Sequence, residues 1–300
     1  NRLQGGQFLF NMRDNVDSLF NQQRLDIMIL QVAIIGVIAL GVTQVIIIGG
    51  IELSSGSVVG ATAMVVMSFA QTALVNGNPN PKAIFGDWAM DLPVIVPIVI
   101  GLACGLFAGL INGLLVAYTK IPPFIATLGM MVSARGAARW WSNGQPVSFP
   151  TAEYGTLANG DILGGMTFGL LSWPGQNPAV VFVVLALLFH VIMTYTLYGK
   201  RSYAIGSNEA AARMSGINVD RHKVLVYAIA GLLAAVAAVL RTSKNLTAQA
   251  GMGVMYELDA IAMAVIGGVS LAGGRGSILG TVLGAAIFSV IISGFTSIKL

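Results

Sequence analysis

The stretch VIIIGGIELSSGS, residues 45–57, decides the fold of this chain. An apolar run there reaches a glycine pair, one carboxylate and three serine hydroxyls, and the chain turns apolar again at Val58. Backbone groups that are freed by a break in a membrane helix must find partners in protein or in water. Because Gly49 and Gly50 permit such a break, the stretch predicts a helix that is interrupted inside an apolar region.

The polar residues after the glycine pair are predicted to satisfy the interrupted backbone. They are Glu52, Ser54, Ser55 and Ser57. The serine hydroxyls are expected to cap a helix that starts near Val58. The helix dipole also favours a carboxylate at that position, whereas an ionisable residue at membrane depth is a functional candidate. Glu52 therefore has two interpretations, a structural cap or a group that faces an aqueous cavity.

The composition of the whole chain fits a membrane protein. Of 300 residues, 56% are hydrophobic and 9% are charged, whereas about 25% are charged in soluble domains. The single cysteine, Cys104, excludes an intrachain disulfide, and the two separated histidines, His190 and His222, argue against a metal site. The sequence thus predicts an all-α polytopic membrane protein.

The apolar runs give the expected number of crossings. About 20 apolar residues span a bilayer core, and candidate runs lie at 27–49, 57–75, 92–118, 121–138, 179–197, 224–240, 255–269 and 278–295. Residues 1–300 are predicted to form one transmembrane domain of about 8–10 helices, some of them broken or re-entrant. The crossings at 121–138, 162–173 and 255–269 stay open.

The distribution of Lys and Arg predicts the orientation. The 199–223 loop is the most basic connection and is expected in the cytoplasm. The 76–91 and 140–177 loops then lie outside the cytoplasm. Lys120 agrees with this orientation, and Arg241 with Lys244 is a mild exception to it.

A second glycine pair suggests an internal repeat. GGIELSSGSVVG at 49–60 aligns with GGVSLAGGRGSILG at 267–280 when two residues are inserted, so Gly267 and Gly268 match the first pair. Paired glycine-interrupted segments in two halves point to the central pathway of a transporter. We predict a two-fold repeat with halves at about 27–140 and 179–300, and its parallel or inverted sense stays open.

Two further acidic residues, Glu257 and Asp259, are candidates near the second glycine pair. Their spacing of two puts them on different faces of a helix, so they do not form a catalytic pair. They are interpreted either as caps of a helix N-terminus or as partners of an arginine such as Arg139 or Arg241.

One predicted helix carries a stripe of small residues. Glycines recur at every fourth position, at Gly101, Gly105, Gly109 and Gly113. This spacing lets another helix backbone approach closely and indicates packing. Asn112 beside the stripe is expected to bond a neighbouring helix or to touch a polar solute.

The segment SNEAAARMSG, residues 207–216, predicts a short helix in the basic loop. Ser207 or Asn208 is the expected N-cap, Glu209 suits the first turn, and Gly216 ends the helix. Such a helix can dock into a partner. The chain has neither a phosphate-binding loop nor a hydrolase or zinc-protease motif, so it is not expected to bind ATP or to be an enzyme.

Four stretches resemble one known family. They are GGIELSSGSVVG (49–60), INGLLVAYTKIPPFIATLG (111–129), YAIGSNEAAARMSGINV (203–219) and GVMYELDAIAMAVIGGVSLAGGRGSILGT (253–281). The chain resembles the permease subunits of bacterial ATP-binding-cassette importers of the ribose/galactose/xylose class. This resemblance implies a multi-pass protein of the bacterial inner membrane that imports a monosaccharide or cyclic polyol by alternating access.

The resemblance also implies partners and residue roles. The partners are a second permease copy, two cytoplasmic ATPase domains that carry the ATP and magnesium, a periplasmic sugar-binding protein and membrane lipid, without nucleic acid. The implied coupling residues are Ser207, Asn208, Glu209, Ala210, Ala211, Arg213 and Gly216. The pathway candidates follow from the residue pattern itself and are Glu52, Ser54, Ser55, Ser57, Asn112, Glu257 and Asp259. The alternatives are an ion-gradient-driven secondary transporter and a branched-chain amino-acid permease.

Overall fold

The computed structural model describes residues 22–160, 167–168, 171–172 and 177–298. Its helices are α1 Gln22–Ile47, α2 Ser55–Ala70, α3 Ile95–Tyr118, α4 Pro123–Trp141, α5 Ala152–Asn159, α6 Asn177–Tyr195, α7 Leu197–Ser207, α8 Glu209–Met214, α9 Val219–Asn245, α10 Tyr256–Ile266 and α11 Ile278–Ile298, with a 3-10 turn at Asp87–Ala89. Three antiparallel pairs of two-residue strands complete the elements: β1 Leu74–Val75 with β2 Asn78–Pro79, β3 Val147–Ser148 with β6 Thr247–Ala248, and β4 Thr167–Phe168 with β5 Leu171–Ser172. The predicted all-α class is confirmed.

Five helices in the described part are long and apolar enough to cross a membrane. They are Leu25–Ile47, Ile95–Tyr118, Asn177–Tyr195, Val219–Asn245 and Ile278–Phe295. Helix α4 has 19 residues, about 28 Å at the usual rise per residue, which is close to the thickness of a bilayer core. Arg135 and Arg139 lower its hydropathy. The predicted polytopic architecture is confirmed, while most of the 162–173 stretch lies outside the described residues.

Two of the predicted crossings are wrong in extent. Helix α2 ends at Ala70, not at residue 75, and α10 has only 11 residues, about 17 Å. Helix α10 is therefore too short to cross a bilayer by itself. Both helices follow non-helical backbone, at 48–54 and at 249–255, so each is half of a broken segment.

One end of the bundle joins the α3–α4 turn to the start of α9. The Lys120 ammonium donates to the Asp220 carboxylate at 2.6 Å. We call this end, made of residues 118–122 and 197–222, the basic end. That it faces the cytoplasm stays a prediction from the Lys/Arg distribution.

The other end collects the long connections. The Gln71 side-chain amide donates to the carbonyls of Lys82 at 2.7 Å and Ser148 at 2.9 Å. We call this the outer end, made of residues 71–94 and 142–160. The two loops that the sequence assigns to one face of the membrane thus contact each other, as far as the structure describes them.

The glycine stripe of α3 lies against neighbouring helices. Helix α9 packs along α3 more extensively than any other two described elements do. A Cβ atom at Gly105, Gly109 or Gly113 would clash with the α9 backbone, and one at Gly101 would clash with Val66 of α2. This close approach fixes α2, α3 and α9 as one packed unit around the first break.

Candidate functional site

Helix α1 ends in a glycine turn at the first break. The Gly49 and Gly50 amides donate to the carbonyls of Ile46 and Val45, each at 2.9 Å. Gly49 has a φ of 78°, a left-handed conformation that glycine adopts without a steric penalty. The two hydrogen bonds are those of a Schellman motif, so the chain leaves α1 in a defined direction.

Glu52 caps the next helix. This buried side chain accepts hydrogen bonds from the Ser54 amide at 2.7 Å and the Ser54 hydroxyl at 2.5 Å. The expected serine cap near Val58 is wrong, because α2 already begins at Ser55 and Ser54 makes no side-chain cap bond. A carboxylate accepts more hydrogen bonds than a hydroxyl and is favoured by the helix dipole.

Asn112 brings helix α3 into the same cluster. Its side-chain amide donates to Glu52 Oε2 at 3.3 Å and to Ser54 Oγ at 2.9 Å. The Tyr227 hydroxyl of α9 also donates to the Ile51 carbonyl at 3.4 Å. Three of the predicted pathway residues therefore form one buried polar cluster that ties α3 and α9 to the non-helical backbone.

The second break meets the first inside the bundle. Gly253 and Met255 have φ values of 79° and 71° just before α10. The buried Glu257 carboxylate lies directly against Gly56, where an added Cβ would clash with it. Asp259 lies on another face of α10 and is only partly buried. The N-terminal ends of α2 and α10, two half-helices, thus adjoin each other.

Arg135 is a site residue that the sequence interpretation missed. Its guanidinium donates to the carbonyls of Ala250 and Met252 and to the Ser57 hydroxyl, each at 3.1 Å. Carbonyl groups of non-helical backbone at membrane depth need hydrogen-bond donors from the protein or from water. The available signal was an arginine inside a membrane helix, which marks a functional position by default.

The arginine partners that the sequence suggests for Glu257 and Asp259 are wrong. Within the described part of the chain, neither Arg139 nor Arg241 forms a salt bridge with Glu257 or Asp259. Arg241 belongs to the last turns of α9 at the outer end, whereas α10 begins deeper in the bundle. Arg135 lines one cavity of about 420 Å³ together with Glu257 and Arg139.

Helix α8 begins as the sequence suggests. The Asn208 side chain accepts a hydrogen bond from the Ala211 amide at 3.0 Å, so Asn208, not Ser207, is the N-cap. Glu209 then forms ion pairs with Arg213 at 2.9 Å and with Lys223 of α9 at 2.7 Å. The exposed face of α8 carries Ala210, Ala211, Arg213 and Met214.

The ion pairs of α8 form a small network at the basic end. Arg213 also contacts Asp220 at 2.7 Å, and Gly216 closes the segment with a φ of 81°. Partial burial opposes ionisation of Glu209, but hydrogen bonds from Lys223 and Arg213 outweigh it and hold the pKa of this carboxyl below its usual value. The network fixes the direction of α8 relative to α9.

The second glycine pair ends α10 as the first ends α1. Gly268 has a φ of 86°, and the amides of Gly268 and Val269 donate to carbonyls three and five residues earlier. Gly49 and Gly50 make the same two bonds. The sequence alignment pairs Gly49 with Gly267. The backbone geometry instead pairs Gly49 with Gly268, one residue further along the chain. An ancestral two-fold repeat stays a prediction.

Comparisons with known proteins agree with this architecture. Residues 24–299 match a family described as "Branched-chain amino acid transport system / permease component". The ribose import permease protein RbsC of Bacillus subtilis is 38% identical over 88% of this chain and 74% of its own length. RbsC of Escherichia coli K12 is 35% identical over 93% and 78%.

A galactose import permease shows a similar sequence identity. The galactose/methyl galactoside import permease protein MglC of Haemophilus influenzae is 35% identical over 87% of this chain and 75% of its own length. No solved structure matches the chain significantly. Because the family match takes in almost the whole chain and the relatives align over most of both sequences, this multi-pass membrane protein belongs to that permease family.

Proposed function

We propose that the chain is the membrane permease of an ATP-driven importer of a monosaccharide or cyclic polyol. The observation that carries the proposal is the identity of 35–38% with ribose and galactose import permeases over most of both chains. The family description names branched-chain amino acids, but the three relatives compared above are named as ribose and galactose import permeases. The proposed partners are a second permease copy, two ATPase subunits and a periplasmic sugar-binding protein.

In this proposal, α8 is the coupling helix that contacts the ATPase. Its exposed alanines and Met214 offer a small apolar surface, and the Glu209 ion pairs attach the helix to α9. A displacement of α8 by the ATPase would therefore move α9, which packs along α3. ATP and magnesium act on the partner, and this chain contributes the moving pathway.

The proposed pathway runs beside the two adjoining half-helices. Non-helical backbone is tolerated at membrane depth where it is buried in protein or lines a cavity. The segment before α10 does both, because Arg135 binds its carbonyls and Val254 lines a cavity. Alternating access would open this region first toward the outer end and then toward the basic end.

Reconstitution tests the proposal. Vesicles that contain the permease, its ATPase and its binding protein should accumulate radiolabelled ribose or galactose only when ATP is supplied inside the compartment that holds the ATPase. Uptake by the permease alone under an ion gradient, or uptake of leucine instead of sugar, would overturn the proposal.

A charge reversal tests the coupling helix. Glu209→Arg should abolish uptake and ATPase assembly while the permease still inserts into the membrane, because the new cation faces Arg213 and Lys223. Glu153→Arg is the matched control, since Glu153 is exposed on α5 at the outer end and should tolerate the change. Normal uptake by Glu209→Arg would remove α8 from the coupling role.

A further inference from the structure

Helix α4 carries two arginines on one face, and each borders a cavity. Arg135 and Arg139 are four residues apart and therefore project from neighbouring turns of the same face. The inner cavity, of about 420 Å³, is lined by residues that include Ser57, Arg135, Arg139 and Glu257. The outer cavity, of about 750 Å³, is lined by residues that include Arg139, Trp140, Asn143 and Gln249. Arg139 belongs to both.

The outer cavity has the chemistry of a sugar subsite. The Trp140 side chain is 78% exposed at its border, and an indole offers a large apolar face together with an N–H group that can donate to a hydroxyl, which suits a solute with both C–H and O–H groups. In the described part of the chain, the Arg139 guanidinium has neither a hydrogen bond nor an ion pair of its own. It is available, with the amide side chains of Asn143 and Gln249, to bond sugar hydroxyls.

The inner cavity offers a second set of polar groups. Glu257 Oε2 is buried and has no hydrogen-bond partner, which is costly unless a ligand or water supplies a donor. Ser57 lies opposite on α2, held by Arg135. Both cavities have volumes in the range of small-ligand sites, roughly 300–1,000 Å³.

We propose that these two cavities are successive subsites for the transported sugar, with Trp140 and Arg139 receiving it at the outer end. Arg139 then passes the neutral polyhydroxyl solute from the outer cavity to the inner one, where Glu257 and Ser57 accept it. This inference rests on the proposed function, because it assigns the sugar to named groups of this chain. The polar groups are few in each cavity, so the sugar is held loosely and can move on.

Protection from a thiol reagent tests the outer subsite directly. The background is the permease–ATPase complex with Cys104→Ser, and the probe positions are Gly251→Cys, which lines the outer cavity with open space around an added Cβ, and Trp88→Cys outside it. A sugar that the importer transports should slow the labelling of Gly251→Cys by at least about twofold at saturating concentration. Labelling of Trp88→Cys should not change, because Trp88 lines neither cavity.

Transport measurements provide a second test, of the role of Trp140. Trp140→Ala should lower uptake from saturating sugar-loaded binding protein by about 3- to 10-fold, and Trp140→Phe should restore most of it. Trp88→Ala is the matched control, because Trp88 is 72% exposed, close to Trp140 at 78%, and should stay within about twofold of the unmodified protein.

The outcomes separate the two proposals. If the unmodified importer takes up no sugar, the proposed function fails. If it takes up sugar while Trp140→Ala transports normally and no protection occurs at residue 251, the subsite assignment fails and the permease function stands. If Trp140→Ala instead weakens docking of the binding protein without loss of sugar protection, Trp140 is a docking residue and its assignment as the group that receives the sugar is overturned.

Discussion

The Gly274 amide donates a hydrogen bond to the Ile47 carbonyl over 2.8 Å, so the last turn of α1 is completed by the loop that follows α10. Gly206, at the end of α7, packs against the same Ile47 carbonyl and against the Gly274 amide. The two glycine-rich segments thus meet next to the start of the coupling helix. In the proposed importer, a movement of α8 acts directly on the ends of both broken segments.

Gly206 is predicted to tolerate no side chain. A Cβ there would clash with the Ile47 carbonyl, so Gly206→Ala should lower the free energy of unfolding by about 1–3 kcal/mol. Gly129→Ala is the control, because Gly129 is exposed on α4 with no atom within 4 Å of an added Cβ. Thermal unfolding in detergent measures both, and equal melting temperatures would contradict the contact.

Glu52 is predicted to act through its hydrogen bonds. Glu52→Ala leaves the Ser54 amide and the Asn112 side chain without their acceptor and should cost about 1–3 kcal/mol of stability. Glu52→Gln keeps one carbonyl oxygen and should cost less than half as much. Uptake by Glu52→Gln separates the two interpretations of this residue: retained transport supports a cap, and lost transport shows that the charge is needed.

Arg135 is predicted to hold the non-helical backbone before α10. Arg135→Met removes both donors to the Ala250 and Met252 carbonyls, and we expect a loss of about 2–4 kcal/mol because buried carbonyls stay unpaired. Arg139→Met should be nearly neutral in the same unfolding assay, since the Arg139 side chain makes no such bonds. A larger loss of unfolding free energy for Arg139→Met than for Arg135→Met would show that the hydrogen bonds to the Ala250 and Met252 carbonyls are incorrectly assigned to Arg135.

The attachment of α8 should depend on pH. The pKa of Glu209 is lowered in the folded protein, so its ion pairs contribute fully above the unfolded carboxyl pKa, about 4.3, and are lost as the pH falls through the folded value. A spin label at Ala210→Cys, with Cys104→Ser, should therefore stay immobile down to about pH 4.3 and become mobile only as the pH falls further, through the lower folded pKa of Glu209.

Lys223→Met provides the comparison for this titration. It removes the ammonium that donates a hydrogen bond to the Glu209 carboxylate, so the mobility change should move to higher pH, toward the ordinary carboxyl pKa. A transition at the same pH in both proteins would show that Lys223 does not stabilise the ionised carboxylate.

The sequence predicted the first break because its signals are local. A glycine pair, a carboxylate and serines inside an apolar run can be recognised without any distant contact, and Gly49 does take a left-handed conformation there. The short helix at 207–216 was equally readable, because Asn208 caps the backbone only three residues away. Sequence spacing alone does not show which side-chain oxygen accepts the hydrogen bond at a helix N-terminus. For this reason the sequence predicts a serine cap where the structure has Glu52 as the acceptor.

What the sequence by itself determined is the membrane class, the approximate spans, the glycine breaks and the α8 segment, since hydropathy, capping and glycine conformation act over a few residues. Only the tertiary structure decided that Glu257 lies against Gly56, that Arg135 binds carbonyls more than 100 residues away, and that Thr43 and Thr281 share a buried hydrogen bond of 2.7 Å. These contacts join residues far apart in the chain, and their partners are selected by how whole helices pack.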